Sequence, residues 1–344
     1  MVKIVRLKTE HVQPMKVLVE VLKEILTDVA IEFIRQPDED VDNSDEVAPK
    51  IQNKKKGKKN EVSETKPKKF SGMRILAMST SKNVLICLKI FSQGDVEFMC
   101  KPKSFVIGVR LEHLNKMLKS TDKDDELEMY VDNDDKQSLV LLINNNDMHK
   151  SSEFKLKLMD IDTPRVKLPI VSPDVMITMD ASEFQKLCKD MAQIGKYLEI
   201  KCTSNTLIFT CVGENASRET KYRTCDAGVK IILNNPNQQL IVQGIYELEH
   251  LNLFTKCSSL SNDVQLLMKV QKYPLCIKYT VATLGEFIAC IIPVDLQEKD
   301  GYDENDALFD ENDDIEFKNG DENKKEKVIE NSDSDSDDDD DEIK

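Results

Sequence analysis

The pentapeptide LEHLN occurs twice in this chain, at residues 111–115 and 248–252, an offset of 137 positions. Each copy follows a Gly-apolar pair, Gly108-Val109 and Gly244-Ile245, and each opens a helical pattern. A weaker correspondence joins Val21-Leu22-Lys23-Glu24-Ile25 to Leu187-Cys188-Lys189-Asp190-Met191 at an offset of 166. One duplication, with an insertion of about 30 residues in the first copy, accounts for both offsets. A duplicated chain must fold as two similar units, each burying its own apolar stripes.

Each half carries two amphipathic helical patterns: 12–26 and 111–118, then 181–194 and 246–254. Their apolar sides are Met15, Leu18, Val19, Leu22 and Ile25; Leu111, Leu114, Met117 and Leu118; Phe184, Leu187, Cys188 and Met191; and Leu248, Leu251 and Phe254. That spacing is one face of a 3.6-residue helix. Short alternating runs fall between them, at 84–91, 127–131, 139–143, 198–202, 207–211, 229–233, 264–270, 275–279 and 286–292. Period-two alternation predicts half-buried strands, and the whole predicts an α+β class.

The net charge of −15 is unevenly spread. Residues 298–344 hold 14 Asp and 8 Glu against 6 Lys, a balance of −16, which leaves +1 for residues 1–297. A nearly neutral body can carry a basic stripe, because a nucleic-acid footprint depends on where charges sit. Segments 37–69 and 297–344 lack the apolar residues of a core and read as a disordered insertion and a disordered acidic tail.

Enzyme chemistry finds little support. The four histidines, His11, His113, His149 and His250, stand in no metal-ligand spacing. Gly-rich phosphate loops and GxSxG are absent. Asp160 and Asp162 share a strand face without a third acid, so no metal, cofactor or catalytic residue is expected. Nine dispersed cysteines read as buried thiols. With no apolar run of roughly 18 residues and no signal-like N-terminus, the expectation is a soluble, intracellular protein without a membrane partner.

Residues 154–169, FKLKLMDIDTPRVKLP, begin as an alternating strand and pass into a Pro-bounded extended strap. The wording KLMDIDxxxxxLP resembles the interdomain connector of the proliferating cell nuclear antigen (PCNA) family of sliding clamps, as do LEHLNLFTK at 248–256 and Pro274-Leu275-x-Ile277-x-Tyr279. The resemblance covers about residues 2–36 and 70–296. It implies two duplicated clamp domains, with antiparallel sheets outside and four helices lining the inner face of a ring. The implied division is 1–153, a clamp domain holding the insertion 37–69; 154–170, the connector; 171–296, a second clamp domain; and 297–344, the tail.

From the same resemblance follow three sets of residues. Lys16, Lys23, Lys116, Lys119, Lys186, Lys189 and Lys256 match inward basic positions that would meet DNA phosphates, whereas Glu249 stands where the family usually has a base. Met78, Lys82, Leu85, Val166, Leu168, Pro169, Pro274 and Ile292 match a docking pocket for partner peptides, with Lys82, Asn83 and Cys290 departing from the usual His, Val and Tyr. Phe154 and Lys155, with Lys221, Tyr222 and Arg223, match edge strands that pair head to tail between protomers. Taken alone, the lysines also fit a solvated face and the pocket residues an ordinary core.

The implied function is a homotrimeric, non-catalytic DNA sliding clamp. It would encircle duplex DNA without reading sequence and serve a DNA polymerase, a clamp loader, and a flap endonuclease or ligase carrying short peptide motifs. It would act at the site of DNA replication, in a nucleus if cellular or a cytoplasmic replication site if viral. A non-ring or checkpoint-type relative and a histone-chaperone-like protein acting through its tail stay open. KKKGKK at 54–59 fits an import signal, a DNA contact or a solvated loop; Ser332, Ser334 and Ser336 suit acid-directed kinases. Ser204 stands where cellular clamps usually carry a ubiquitin-accepting lysine.

Overall fold

A computed structural model describes residues 2–36, 70–161, 173–225, 228–234, 241–270 and 273–294. The first half runs β1 (Lys3–Thr9), α1 (Val12–Ile25), β2 (Asp28–Ile34), β3 (Gly72–Met78), β4 (Val84–Phe91), β5 (Val96–Cys100), β6 (Ser104–Arg110), α2 (Leu111–Lys119), β7 (Glu126–Asp132), β8 (Ser138–Asn145) and β9 (Lys150–Lys157). The second repeats that order: β10 (Val175–Asp180), α3 (Ala181–Ala192), β11 (Tyr197–Cys202), β12 (Thr206–Val212), β13 (Ser217–Arg223), β14 (Lys230–Leu233), β15 (Val242–Glu247), α4 (Leu248–Phe254), β16 (Asp263–Met268), β17 (Leu275–Val281) and β18 (Gly285–Ile291). A 3₁₀ turn, Thr255–Ser259, follows α4.

Strand pairing repeats as well. The order β5-β1-β7-β8-β9 in the first half matches β14-β10-β16-β17-β18 in the second, and β4-β3-β2-β6 matches β13-β12-β11-β15. The halves are fused where β18 pairs antiparallel with β4, making a nine-stranded sheet that spans both. Gly285 opens β18 at this joint: a Cβ there would stand 1.9 Å from the Lys89 carbonyl oxygen. One continuous core of inward strand residues and the helix stripes fills the space between sheets and helices.

Several expectations need adjusting. The fourth helix begins at Leu248, because Tyr246 and Glu247 are the end of β15, paired with Leu198 and Tyr197. Buried residues superpose α1 on α3 as Val12/Ala181, Met15/Phe184, Leu18/Leu187, Val19/Cys188 and Leu22/Met191, an offset of 169 and not 166. A slip of three residues returns nearly to the same helix face, so the sequence match found a false register. Likewise Gly108, partner of Ala30, corresponds in the ladders to Ile245, partner of Glu199, so the two Gly-apolar pairs are one residue out of step. The connector cannot begin at residue 154, since Phe154 and Leu156 pair with Leu141 and Leu139 inside β9; it starts after Lys157.

Candidate nucleic-acid face, docking face and free edges

The four helices form one layer: α1 packs on α2, α3 on α4 and the 3₁₀ turn, and α1 meets α4 and that turn across the halves. Their lysines differ in what holds them. Lys16 is half-buried and its Nζ donates to the carbonyls of Lys119 (3.2 Å) and Thr121 (3.1 Å) at the C-terminal end of α2. It thereby satisfies oxygens that a helix end leaves without partners. Lys23 pairs with Glu24 at 2.9 Å and Lys116 with Glu112 at 2.5 Å.

In the second half the acids of α3 are engaged elsewhere. Asp190 pairs with Arg218 at 3.1 Å, and Glu183 accepts from the Tyr222 hydroxyl at 2.9 Å, both partners lying on β13. Lys119, Lys186, Lys189 and Lys256 are exposed, and among the described residues none has a carboxylate within 4.0 Å. Lys23 first, then Lys256 and Lys119, hold the Glu24 carboxyl below its ordinary range, so basic groups from both halves converge on the end of α1. Glu249 is exposed on α4.

The outer face of the nine-stranded sheet carries a second, smaller apolar cluster: Leu85, Cys87, Leu267, Cys276, Ile288 and Cys290, flanked by Leu76, Met78, Met176 and Tyr273. Met78 and Leu85 are direct cross-strand partners there. Pro274 is buried beside Tyr273, and the buried Ile292 donates its N–H to the Asn83 carbonyl at 2.9 Å. Lys82 is exposed at the adjoining turn, with φ 58. Val166, Leu168 and Pro169 lie outside the described residues. The cluster is bordered by Glu286, whose carboxylate meets Lys89 (3.1 Å) and Lys278 (2.9 Å). Burial pushes this carboxyl up, but Lys278 and Lys89 together pull it below the usual range.

The connector's start is fixed by a residue that sequence reasoning passed over in this role. Met159 donates its N–H to the Gly108 carbonyl at 3.0 Å, forming a bridge on β6. A Cβ on Gly108 would sit 2.1 Å from the Met159 carbonyl oxygen, so only glycine lets the two backbones approach. Asp160 is exposed, Asp162 lies outside the described residues, and among the described residues no group of three His, Cys, Asp or Glu side chains is arranged to hold a metal.

Strands β9 and β13 are sheet edges. Lys155, Lys221 and Arg223 point outward and are exposed. Tyr222 turns inward, edge-on to Phe209 at 5.9 Å, and Phe154 packs against its own core. What these edges offer a neighbour is therefore backbone plus outward charge. Lys155 and Lys221 are each already paired within their strand, Lys155 with Glu153 at 3.5 Å and Lys221 with Glu219 at 2.7 Å.

Family models named "Proliferating cell nuclear antigen, N-terminal domain" and "Proliferating cell nuclear antigen, C-terminal domain" match residues 56–165 and 167–294. A "Probable DNA polymerase sliding clamp 1" of Paramecium bursaria Chlorella virus 1 is 30% identical over 228 residues, covering 65% of this chain and 85% of that protein. The chain belongs to the proliferating cell nuclear antigen family. A "Probable DNA polymerase sliding clamp" of Acanthamoeba polyphaga mimivirus is 28% identical over 297 residues, 85% of this chain, and the chain spans 62% of that relative's length. The crystal structure of the PCNA of Entamoeba histolytica shares the fold, with TM-score 0.66 and 22% identity over 85% of this chain and 99% of that one. Strands β1 and β2 and helix α1 precede the N-terminal PCNA match, yet they complete the same element order that the second half shows.

Proposed function

We propose that this PCNA-family chain is a DNA sliding clamp: a homotrimer that encircles duplex DNA and tethers a DNA polymerase, with no catalysis of its own. One observation carries the reading. Among the described residues the duplicated topology leaves the outer edges of β9 and β13 without a partner strand, and these are the counterparts of β18 and β4, which pair inside the chain. A second copy can repeat that joint by laying its β13 against β9. The contact is head to tail, and such contacts close into a ring when the rotation fits; three chains of two units make six similar sectors.

The register of the proposed joint can be carried over pair by pair. Leu141 pairs with Phe154 as Ile277 pairs with Ala289, so Phe154 takes the place of Ala289. Met73 pairs with Ile90 as Leu207 pairs with Tyr222, so Tyr222 takes the place of Ile90 and Arg218 that of Ile86. Inside the chain Ala289 faces Ile86. Between copies Phe154 then faces Arg218, Glu153 faces Glu219, Lys155 faces Ser217 and Ser151 faces Lys221. The two glutamates stand opposed, and Lys155 and Lys221 each lie diagonal to the other copy's glutamate, within reach for long side chains.

With the helix layer turned to the bore, Lys119, Lys186, Lys189 and Lys256 are the cations available to phosphates, and Lys23 and Lys116 reach them by releasing their glutamates. Lys16 serves the end of α2. Such contacts carry no sequence information and weaken with salt, which suits a ring that slides. The outer cluster around Met78, Leu85, Pro274 and Ile292, with Lys82 at the rim, would take apolar and aromatic anchors of peptides from the polymerase, a clamp loader, and a flap endonuclease or ligase. Its place is the cell's site of DNA replication. The test is retention after ATP-driven loading: the protein should stay on circular DNA and leave once the circle is cut, and equal loss from both forms would sink the proposal.

A further inference from the structure

Eight of the nine cysteines are buried, and among the described residues one pair has its sulfurs in contact. Cys276 on β17 and Cys290 on β18 are direct partners in the ladder, with Sγ to Sγ 2.6 Å. Directly opposed antiparallel residues have Cα atoms about 4.5–5.5 Å apart, inside the range of about 4.4–6.8 Å that disulfides span. Both side chains point to the outer face of the nine-stranded sheet, in the small cluster and away from the main core. Cys87 lies one strand further over: it faces Ile288, two residues before Cys290, while Cys290 itself faces Leu85.

We infer that Cys276 and Cys290 are a site of reversible disulfide formation, taking a low-molecular-weight disulfide as oxidant. One protein thiol loses its proton and its sulfur attacks the small disulfide, whose S–S bond breaks and releases one small thiolate. The second protein thiol then loses its proton and attacks the resulting mixed disulfide; the Cys276–Cys290 bond forms and the second small thiolate leaves. Two protein thiols are oxidised and the small disulfide is reduced to two thiols. The first step is slow, because a buried thiol holds its proton and thiolate is the nucleophile: the Cys276 contact and burial push Cys290 well up, and burial takes Cys87 to about 11. The second step needs almost no movement, so the mixed disulfide does not persist. Because Cys290 faces Leu85, the bond would form on the docking face proposed above, although the chemistry does not rest on that reading.

The test uses the full chain, folded, incubated with oxidised glutathione and mapped by mass spectrometry without reduction. A peptide linking Cys276 to Cys290, short of two hydrogen atoms and released by dithiothreitol, is the expected result. The exposed Cys225 is the internal control and should carry a glutathione adduct. In Cys290→Ser the link disappears and glutathione stays on Cys276; Cys276→Ser gives the mirror result. Glutathione on Cys225 alone, with Cys276 and Cys290 still free, would overturn the inference, as would a bond from Cys290 to Cys87. The unmodified chain decides the matter even if a variant folds poorly.

Discussion

The β18–β4 joint and the edges β9 and β13 are built from equivalent strands: one pair is joined inside the chain, and the other is the pair proposed to join between copies. Inside the chain the joint is apolar over most of both sides, with the Glu286–Lys89 pair at its border: Ile86, Leu88, Ala289 and Phe287 face the core, and Leu85, Cys87, Ile288 and Cys290 form the outer cluster. At the free edges the outward positions are Glu153, Lys155, Glu219 and Lys221. A permanent joint can be apolar because it is never exposed, whereas an edge that meets water before assembly carries charge, which discourages unwanted pairing. On the proposed reading the difference would give one docking face per chain and none at the joints between chains.

The comparison breaks most sharply at Phe287, fully buried and 6.0 Å from the Phe254 ring. Phe287→Ala should cost about 3–5 kcal/mol of folding stability, read as a lowered calorimetric Tm. Its counterpart at the edge, Ser152→Ala, should leave both Tm and assembly unchanged. An equal loss in the two would mean that the edge position carries as much packing as the internal joint, against the contrast drawn above.

Glu286→Gln tests the charged border of the internal joint. Removing the carboxylate that Lys89 and Lys278 share should cost about 2 kcal/mol in denaturant unfolding. Because the folded state holds this carboxyl below its ordinary range, its contribution is present above the unfolded carboxylate range and is lost as pH falls through the folded value. Stability of the parent chain should therefore drop on acidification across that window, and the variant's curve should be flatter there.

Lys221→Glu sharpens the edge side. The new carboxylate would stand beside Glu219 and diagonal to the other copy's Glu153, leaving Lys155 as the one lysine near the two opposed glutamates. Cross-strand charge pairs are worth roughly 0.2–1 kcal/mol each, so losing the attraction to the other copy's Glu153 and gaining a repulsion in its place should weaken subunit association by about 10-fold, measured by analytical ultracentrifugation. Glu153→Lys in the same chain should restore it.

The smallest effect concerns DNA. Lys186→Gln with Lys189→Gln should reduce the slope of log K against log salt by about 0.9 for each phosphate no longer neutralised, in fluorescence anisotropy with duplex DNA. Lys16→Gln should leave that slope unchanged and loosen the end of α2 instead.

Much of this was legible in the residues. The LEHLN repeat and the helix stripes gave the duplication, and alternation placed strands such as 84–91 at the bounds of β4. The sheet that unites the halves was not, because β18 and β4 are far apart in sequence and nothing in either strand names its partner. The α1 register misled, since helical periodicity forgives a slip of three. For the candidate sites, residue types were readable but commitments were not: the sequence shows Lys16 and Lys186 as equals, and only packing reveals that one caps a helix while the other stays open. Gly108 looked like part of a repeat, and its role appeared once Met159 was seen against it.

Copies that join as the halves do, in the stated register, can be trapped covalently. A Glu153→Cys, Glu219→Cys double variant places two thiols directly opposite each other across each proposed joint. Oxidised under native conditions and run on a denaturing, non-reducing gel, it should give a covalent closed trimer that resolves to monomer with reductant. Monomer alone, or an open ladder of ever longer species, would contradict a ring built by repeating the internal joint.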